Sequence, residues 1–181
     1  MKELLTAEQV EAAMDRLYES IEAQLTLAAK TSRIALVGIR TRGETLARRI
    51  ARRLAADHGN LPIDFGVLDI TLYRDDLSRQ RGAPLVRATD IDFDLDDTWV
   101  VLVDDVIQSG RSIRAALDAL HDFGRPTTVR LAVLIDRGGR QLPISADFIG
   151  QRVNVDDTVR VQVRLKENDG KEGVFTVKKG S

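Results

Sequence analysis

Two adjacent carboxylates, Asp104 and Asp105, end the apolar run Val100 to Val103, and a short polar segment follows them at once. Carboxylates so placed can accept hydrogen bonds from sugar hydroxyls or hold a hydrated magnesium ion. The segment Val106, Ile107, Gln108, Ser109, Gly110, Arg111 and Ser112 can wrap backbone N–H groups around a phosphate. Its two serine hydroxyls add donors, and Gly110 allows an approach that a β-carbon would hinder. A helix is predicted to start there, because Ile113, Ala116, Leu117 and Leu120 recur at helical spacing. The positive end of that helix favours an anion. Thr41, Arg42 and Gly43 form a second candidate anion cradle, with backbone donors and a guanidinium at another predicted helix start. Paired aspartates at a strand end also occur in magnesium-dependent phosphate enzymes and in phospho-acceptor receiver domains, but without an immediate serine–glycine loop and helix. The G-x-x-x-x-G-K-[ST] pattern of mononucleotide sites is absent.

The rest of the chain bounds the chemistry. A length of 181 residues suits one domain, spanning residues 1–181, and allows a substantial core. Apolar residues at 43% and charged residues at 30% fit a globular protein rather than a disordered one. A net charge of −1 gives no global attraction for polyanions, so any such site must be a local patch. The absence of cysteine excludes disulfides and thiolate chemistry, and His58 and His121 are too few for a conventional zinc site. No stretch reaches membrane-spanning length and the first residues lack the apolar core of a secretory signal, so a cytoplasmic setting is expected.

The elements that must position these groups read as an alternating α/β chain. Thr6 to Gln9 forms a capping box, and Val10, Ala13, Met14, Leu17, Ile21, Leu25 and Ala28 make one apolar helix face. Strands are predicted at Arg33 to Ile39, Ile63 to Leu72, Val86 to Phe93, Thr128 to Ile135 and Ala146 to Ile149, besides the central one. The helix after Gly43 turns Leu46, Ile50 and Leu54 inward and Arg48, Arg49, Arg52 and Arg53 outward, an arrangement that solvated surface alone explains. Val159 to Lys166 alternates as a half-buried strand, and Asn168 to Gly170 is predicted to turn it into a final hairpin strand at Gly173 to Val177. Residues 178–181 are expected to fray. A parallel sheet with helices on both faces follows, and the loops after three strands gather at its carboxyl edge, where such sheets bind ligands.

The run VVLVDDVIQSGRS resembles the phosphoribosyl-diphosphate (PRPP) motif of type I phosphoribosyltransferases, with serine at Ser109 and Ser112 where threonine is commoner. GIRTRG (Gly38 to Gly43), LDITLYRDDLS (Leu68 to Ser78), GRPTTVRLAVLIDRG (Gly124 to Gly138) and LPISADFIG (Leu142 to Gly150) resemble the pyrimidine-operon regulator family, PyrR. The resemblance runs from about Thr6 to the last strand. It implies a type I phosphoribosyltransferase fold, a central parallel sheet flanked by helices with a small hood and a C-terminal β-hairpin. It also implies conversion of uracil and PRPP to UMP and diphosphate, with Mg²⁺ as cofactor, together with RNA attenuation and homo-oligomeric assembly.

On this resemblance, Asp104 and Asp105 are the catalytic pair that holds the ribose hydroxyls, with Mg²⁺ nearby held mainly by PRPP and water. Val106 to Ser112 holds the 5′-phosphate, and Thr41, Arg42 and Gly43 hold the diphosphate, with Arg42 counted among the catalytic residues. Tyr73, Arg74, Asp75 and Asp76 open a lid of about residues 73–90 that excludes water. Ile135, Asp136 and Arg137 form the uracil pocket through backbone groups. Arg16 and Arg140 keep the family's positive charge for RNA. Asp15, Glu19, Gly139, Ser145 and Gln151 replace a threonine, two histidines, an arginine and a lysine, which removes cations that RNA phosphates need. Binding to a pyrimidine-operon mRNA is therefore expected to be weakened or lost. The competing expectation is an RNA-binding attenuation regulator whose site only senses UMP or PRPP.

Overall fold

The computed structural model describes residues 1–59, 61–75 and 88–178. Five parallel strands form the central sheet: β2 (Arg33–Ile39), β3 (Ile63–Leu68), β4 (Thr98–Ile107), β5 (Thr128–Asp136) and β6 (Phe148–Arg152), in the order β3-β2-β4-β5-β6. The strand β4 is the pivot of the sheet because its residues alternate between two cores. Val101 and Val103 pack with α1 (Ala7–Ala28) and α2 (Arg42–Asp57), whereas Val100 and Leu102 pack with α3 (Arg111–Leu120) on the other face. Burial on both faces explains the unbroken apolar runs of β2, β4 and β5.

The first helix starts as its capping box demands: the Thr6 hydroxyl accepts from the Gln9 N–H, and the Gln9 side chain accepts from the Thr6 N–H. Val10, Ala13, Leu17, Ile21 and Leu25 lie wholly in the core. In α3, Ile113, Ala116 and Leu120 are buried as the periodicity predicts, but Leu117 is exposed and Ala115 and Ala119 take the inner face with them. No helix among the described residues is long and apolar enough to cross a membrane.

A second, antiparallel sheet of β1 (Lys2–Leu5), β8 (Gly173–Lys178) and β7 (Val159–Arg164) forms the hood, in the order β1-β8-β7. The strand β1 is absent from the sequence reading, since four residues before a strong helix cap carry no pattern of their own. Asn168 to Gly170 is not a bare turn: a short helix, α4 (Lys166–Asp169), ends on Gly170 in the left-handed conformation. The strand expected at residues 86–93 is reduced, within the described residues, to one antiparallel bridge between Val67 and Asp90. The strand expected to reach Leu72 stops at Leu68 and gives way to a 3₁₀ turn at Thr71–Tyr73. Residues 76–87, most of the expected lid, and residues 179–181 of the expected tail lie outside the described residues.

Register places the carboxylates beyond the end of the neighbouring strand. Gly38 of β2 pairs with Val103, and Ile39 is the last residue of β2, so β4 runs on from Asp104 alongside β5 alone. The space so opened is filled by the first turn of α2, which lies directly on β4. A β-carbon at Gly43 would stand 2.4 Å from the Val103 carbonyl oxygen and 3.1 Å from the Asp104 Cα, and one at Gly38 would stand 2.5 Å from the Glu44 Cα. All these neighbours are backbone, so neither glycine can be enlarged without moving the site. Gly43→Ala is expected to cost about 2–3 kcal/mol through overpacking. That corresponds to a fall in Tm of roughly 5–10 °C for a chain of this size, read by calorimetry. A variant melting with the parent would show that the contact is not tight.

Candidate functional site

The carboxyl ends of β2, β4 and β5 deliver their loops to one edge, as the alternating pattern predicts. The Asp104 residue is only 8% exposed, and its carboxylate accepts from the Asp105 N–H at 2.8 Å. Asp105 is half-buried and accepts from the Val106 N–H at 2.9 Å. Burial, and then the neighbouring Asp105 charge, hold Asp104 well above the usual carboxylate range. Burial raises Asp105 as well, while its bond with Asp104 and the Arg42 charge work against that rise. Both carboxyls of the pair are therefore held above the usual range.

Past Ile107 the chain turns through Gly110, whose φ of +89° lies in the left-handed region, into the first turn of α3. Two carbonyls of this turn are engaged by another segment. The Gln108 oxygen accepts from Arg140 Nη1 at 2.9 Å, and the Ser109 oxygen accepts from the N–H groups of Gln141 and Leu142 at 3.0 and 3.1 Å. A cavity of about 720 Å³ is lined by the whole stretch from Val106 to Ile113 together with Arg74, Asp75, Gln141, Arg160 and Val161. The start of the expected lid lies against α3 and the turn that follows it. Arg74 Nη1 donates to the Ser112 hydroxyl at 3.2 Å, Asp75 pairs with Arg111 and, at 3.7 Å, with Arg114, and the Tyr73 hydroxyl donates to Asp122.

Asp104 and Asp105 do not themselves line this cavity, and neither do Thr41 to Gly43 or Ile135 to Arg137. Thr41 precedes α2 and Gly43 touches the Asp104 backbone, but Arg42 Nε and Nη2 both donate to Asp169 of the hood, at 3.1 and 2.6 Å. The Asp169 bonds raise the Arg42 pKa, and the pull of Asp105 adds to them. Ile135 is fully buried and Asp136 pairs with Ile107 across the sheet. Arg137 is buried: its N–H donates to the Ile107 oxygen, Nη1 to the Val159 oxygen at 2.9 Å, and Nη2 meets Asp157 at 3.2 Å. The side chain of Arg137 thus ties the loop after β5 to the start of the hood hairpin.

Both cations expected to face RNA are engaged within the chain. Arg16 donates to the Gly150 carbonyl at 2.9 Å and to the Gln151 side chain at 2.6 Å. Arg140 bonds three separate segments, those of Gln108, Asp136 and Ile144. The cavity-lining residues Gln141, Arg160 and Val161, and the Arg42 partner Asp169, escaped the sequence reading. Each reaches the site through a contact distant in sequence; the alternation of β7 indicated only which of its residues face outward.

Comparison with known proteins bears on this arrangement as a whole. A family profile described as "Phosphoribosyl transferase domain" matches residues 1–168. A protein of Roseiflexus sp. (strain RS-1) named "Bifunctional protein PyrR" is 51% identical over 178 residues, covering 98% of this chain and 95% of that protein. One of the same name from Thermus thermophilus is 50% identical over 173 residues, covering 95% and 93%. In structure, a hypoxanthine phosphoribosyltransferase from Trypanosoma cruzi superimposes with a TM-score of 0.70 over 99% of this chain and 96% of that one. At 16% sequence identity that likeness shows the fold alone. Near-full-length identity of about half, the matching profile and the type I architecture leave one assignment: the chain belongs to the PyrR family of phosphoribosyltransferases.

Proposed function

We propose that the chain transfers the phosphoribosyl group of PRPP to uracil, giving UMP and diphosphate. The observation that carries this reading is the Asp104–Asp105 pair followed directly by a turn that lines the cavity and whose Gln108 and Ser109 carbonyls are already engaged by Arg140 and by the Gln141 and Leu142 N–H groups. The N–C1′ bond to uracil forms as the C1′–O bond breaks, the electron pair leaves with diphosphate, and uracil gives up its N1 proton. Positive charge develops on the sugar, and two fixed carboxylates beneath it stabilise that charge where water is scarce. Val106 to Ser112 holds the 5′-phosphate, and Thr41 to Gly43 receives the diphosphate once Arg42 leaves or shares Asp169. Backbone groups of Ile135 to Arg137 face the base, and Tyr73 to Asp75 begin the closure that excludes water. The hard oxygens of Asp104 and Asp105 fit a hydrated Mg²⁺, which supplies charge neutralisation to the diphosphate. A Mg²⁺ held there by Asp104 and Asp105 would take its remaining ligands from PRPP and water.

RNA attenuation is the second activity, favoured by the word "bifunctional" in the relatives' names. We infer that it is weakened here. Arg16 and Arg140 are committed to internal acceptors, and a net charge of −1 offers no compensating field. Homo-oligomeric assembly is carried over from the family resemblance alone.

The pKa of Asp104 is raised on folding, so its contribution to stability is present below the unfolded-state value and lost as pH rises through the folded one. Above the folded-state value the ionised pair therefore works against the fold. Asp104→Asn is expected to raise the Tm of the ligand-free protein by roughly 2–6 °C, corresponding to about 1–2 kcal/mol. The same change should lower kcat for UMP formation about 100-fold or more, because a transition-state charge loses its partner. Catalysis needs the carboxylate that stability disfavours, so the acid limb of kcat/KM should lie above the ordinary aspartate range of about 4. Turnover of another base but not of uracil would overturn the substrate assignment. For RNA, affinity for a pyrimidine leader transcript should match that for arbitrary RNA of equal length, with a shallow dependence on salt. Tight, UMP-strengthened binding would restore the regulatory reading.

A further inference from the structure

We propose that Arg140 is a positioning residue for phosphoribosyl transfer, holding the 5′-phosphate loop in its anion-accepting shape; this rests on the reading of Val106 to Ser112 as that loop. A turn binds a phosphate through N–H groups only if its carbonyls point elsewhere, since a carbonyl dipole aimed at the anion repels it. The Gln108 carbonyl accepts from Arg140 Nη1 at 2.9 Å, and Arg140 is not among the residues that line the cavity. The remaining two nitrogens of the same guanidinium fix its position: Nε donates to the Ile144 carbonyl at 2.9 Å, and Nη2 meets Asp136 Oδ2 at 2.8 Å.

Each of these three acceptors sits on a different part of the site. Asp136 ends β5 and pairs with Ile107, the last residue of β4. Its other oxygen accepts from the Gly138 N–H at 2.9 Å, so the carboxylate is itself held in place. Ile144 belongs to the segment behind Gly110, where a β-carbon would lie 3.4 Å from the Leu142 and Ile144 Cβ atoms. The same segment supplies the Gln141 and Leu142 N–H groups that restrain the Ser109 carbonyl. One planar fork thus joins the phosphate turn, the base-side loop and the backing segment.

Such a role depends on geometry rather than on charge. A lysine keeps the positive charge but presents one ammonium with no fork, and cannot reproduce three divergent bonds in fixed directions. An arginine acting as a simple charge toward RNA or toward the bound phosphate would tolerate that exchange.

The test uses the full chain with Mg²⁺ and compares the parent with Arg140→Lys, Arg140→Ala and, as a surface-charge control, Arg125→Ala. Calorimetric binding of PRPP, steady-state kinetics with uracil and thermal melts are measured on each. Both Arg140 variants are expected to raise the PRPP Kd and KM about tenfold or more, with lysine no better than alanine. The kcat at saturating PRPP should fall by less than about threefold, since bound phosphate itself helps to organise the turn. The control should leave all three readouts unchanged. Retention of parental PRPP affinity by Arg140→Lys would overturn the proposal in favour of a charge role. A parallel collapse of kcat, affinity and Tm would overturn it in favour of general folding support. Binding of PRPP without uracil conversion would remove the base assignment while leaving the Arg140 result readable, because calorimetry needs no turnover. A parent protein that takes up no PRPP would overturn both readings.

Discussion

The arrangement of this protein depends on two neighbouring carboxylates, one buried and one half-buried, near the carboxyl end of the central strand of its sheet. Asp104 and Asp105 repel each other, and burial penalises the charge of each. What offsets that cost comes from successive layers. The N–H groups of Asp105 and Val106 supply the first donors, within the strand itself. The charge of Arg42 opposes the rise of Asp105, and Arg42 is aimed by Asp169. Asp169 is in turn held by the Leu165 N–H at 2.9 Å. The dependence thus passes from the central strand to the hood, a sheet assembled from both ends of the chain. Residues Lys2 to Leu5, remote in sequence from the acidic pair, bear on it through β8.

The same edge must be both tight and open. It is tight where α2 meets β4, because Gly38 and Gly43 bring backbone within contact of backbone and leave no room for adjustment. It is open farther along, where Val106 to Ile113 line the cavity and the turn at Gly110 leads into α3. Hood and core are joined on the outer side by further polar contacts: Arg49 with Glu167 and Glu172, and Thr45 with Asn168. Each such bond between partly exposed groups contributes modestly, but two of the three partners, Glu167 and Asn168, lie in the short helix α4 and so help to fix where Asp169 stands. The arginine-rich face of α2, which solvated surface alone would explain, is therefore in part a docking face for the hood.

What could be read from sequence and what could not divide along the range of the interactions. The capping box at Thr6, the alternating strands and helices, and the loops gathered at one edge depend on neighbours within a turn or two, and the structure contains them all. The acidic pair and the Gly110 turn were legible for the same reason, since their order along the chain is the motif. Leu117 was misread because Ala115 and Ala119, small residues with little hydropathic weight, occupy the inner face of α3. The strand β1 escaped because its pattern has meaning only beside β8. Arg160 and Asp169 escaped because the hairpin that carries them reaches the site only through its position in the hood.

Residue type therefore decides less than residue partner, and the arginines make the point. Arg16, Arg42, Arg137 and Arg140 look alike in sequence, as cations available to an anionic ligand. Arg137 is buried and bonds the start of β7, and Arg16 joins α1 to β6. Arg42 is held beside the acidic pair by a single carboxylate, which an anion can displace. Arg140 is held by three acceptors in divergent directions, which a phosphate could replace only by dismantling the loop that they support. A cation with one exchangeable partner is suited to a substrate that comes and goes. A cation with three fixed partners is suited to holding a shape, and that difference separates the two arginines more sharply than charge or exposure does.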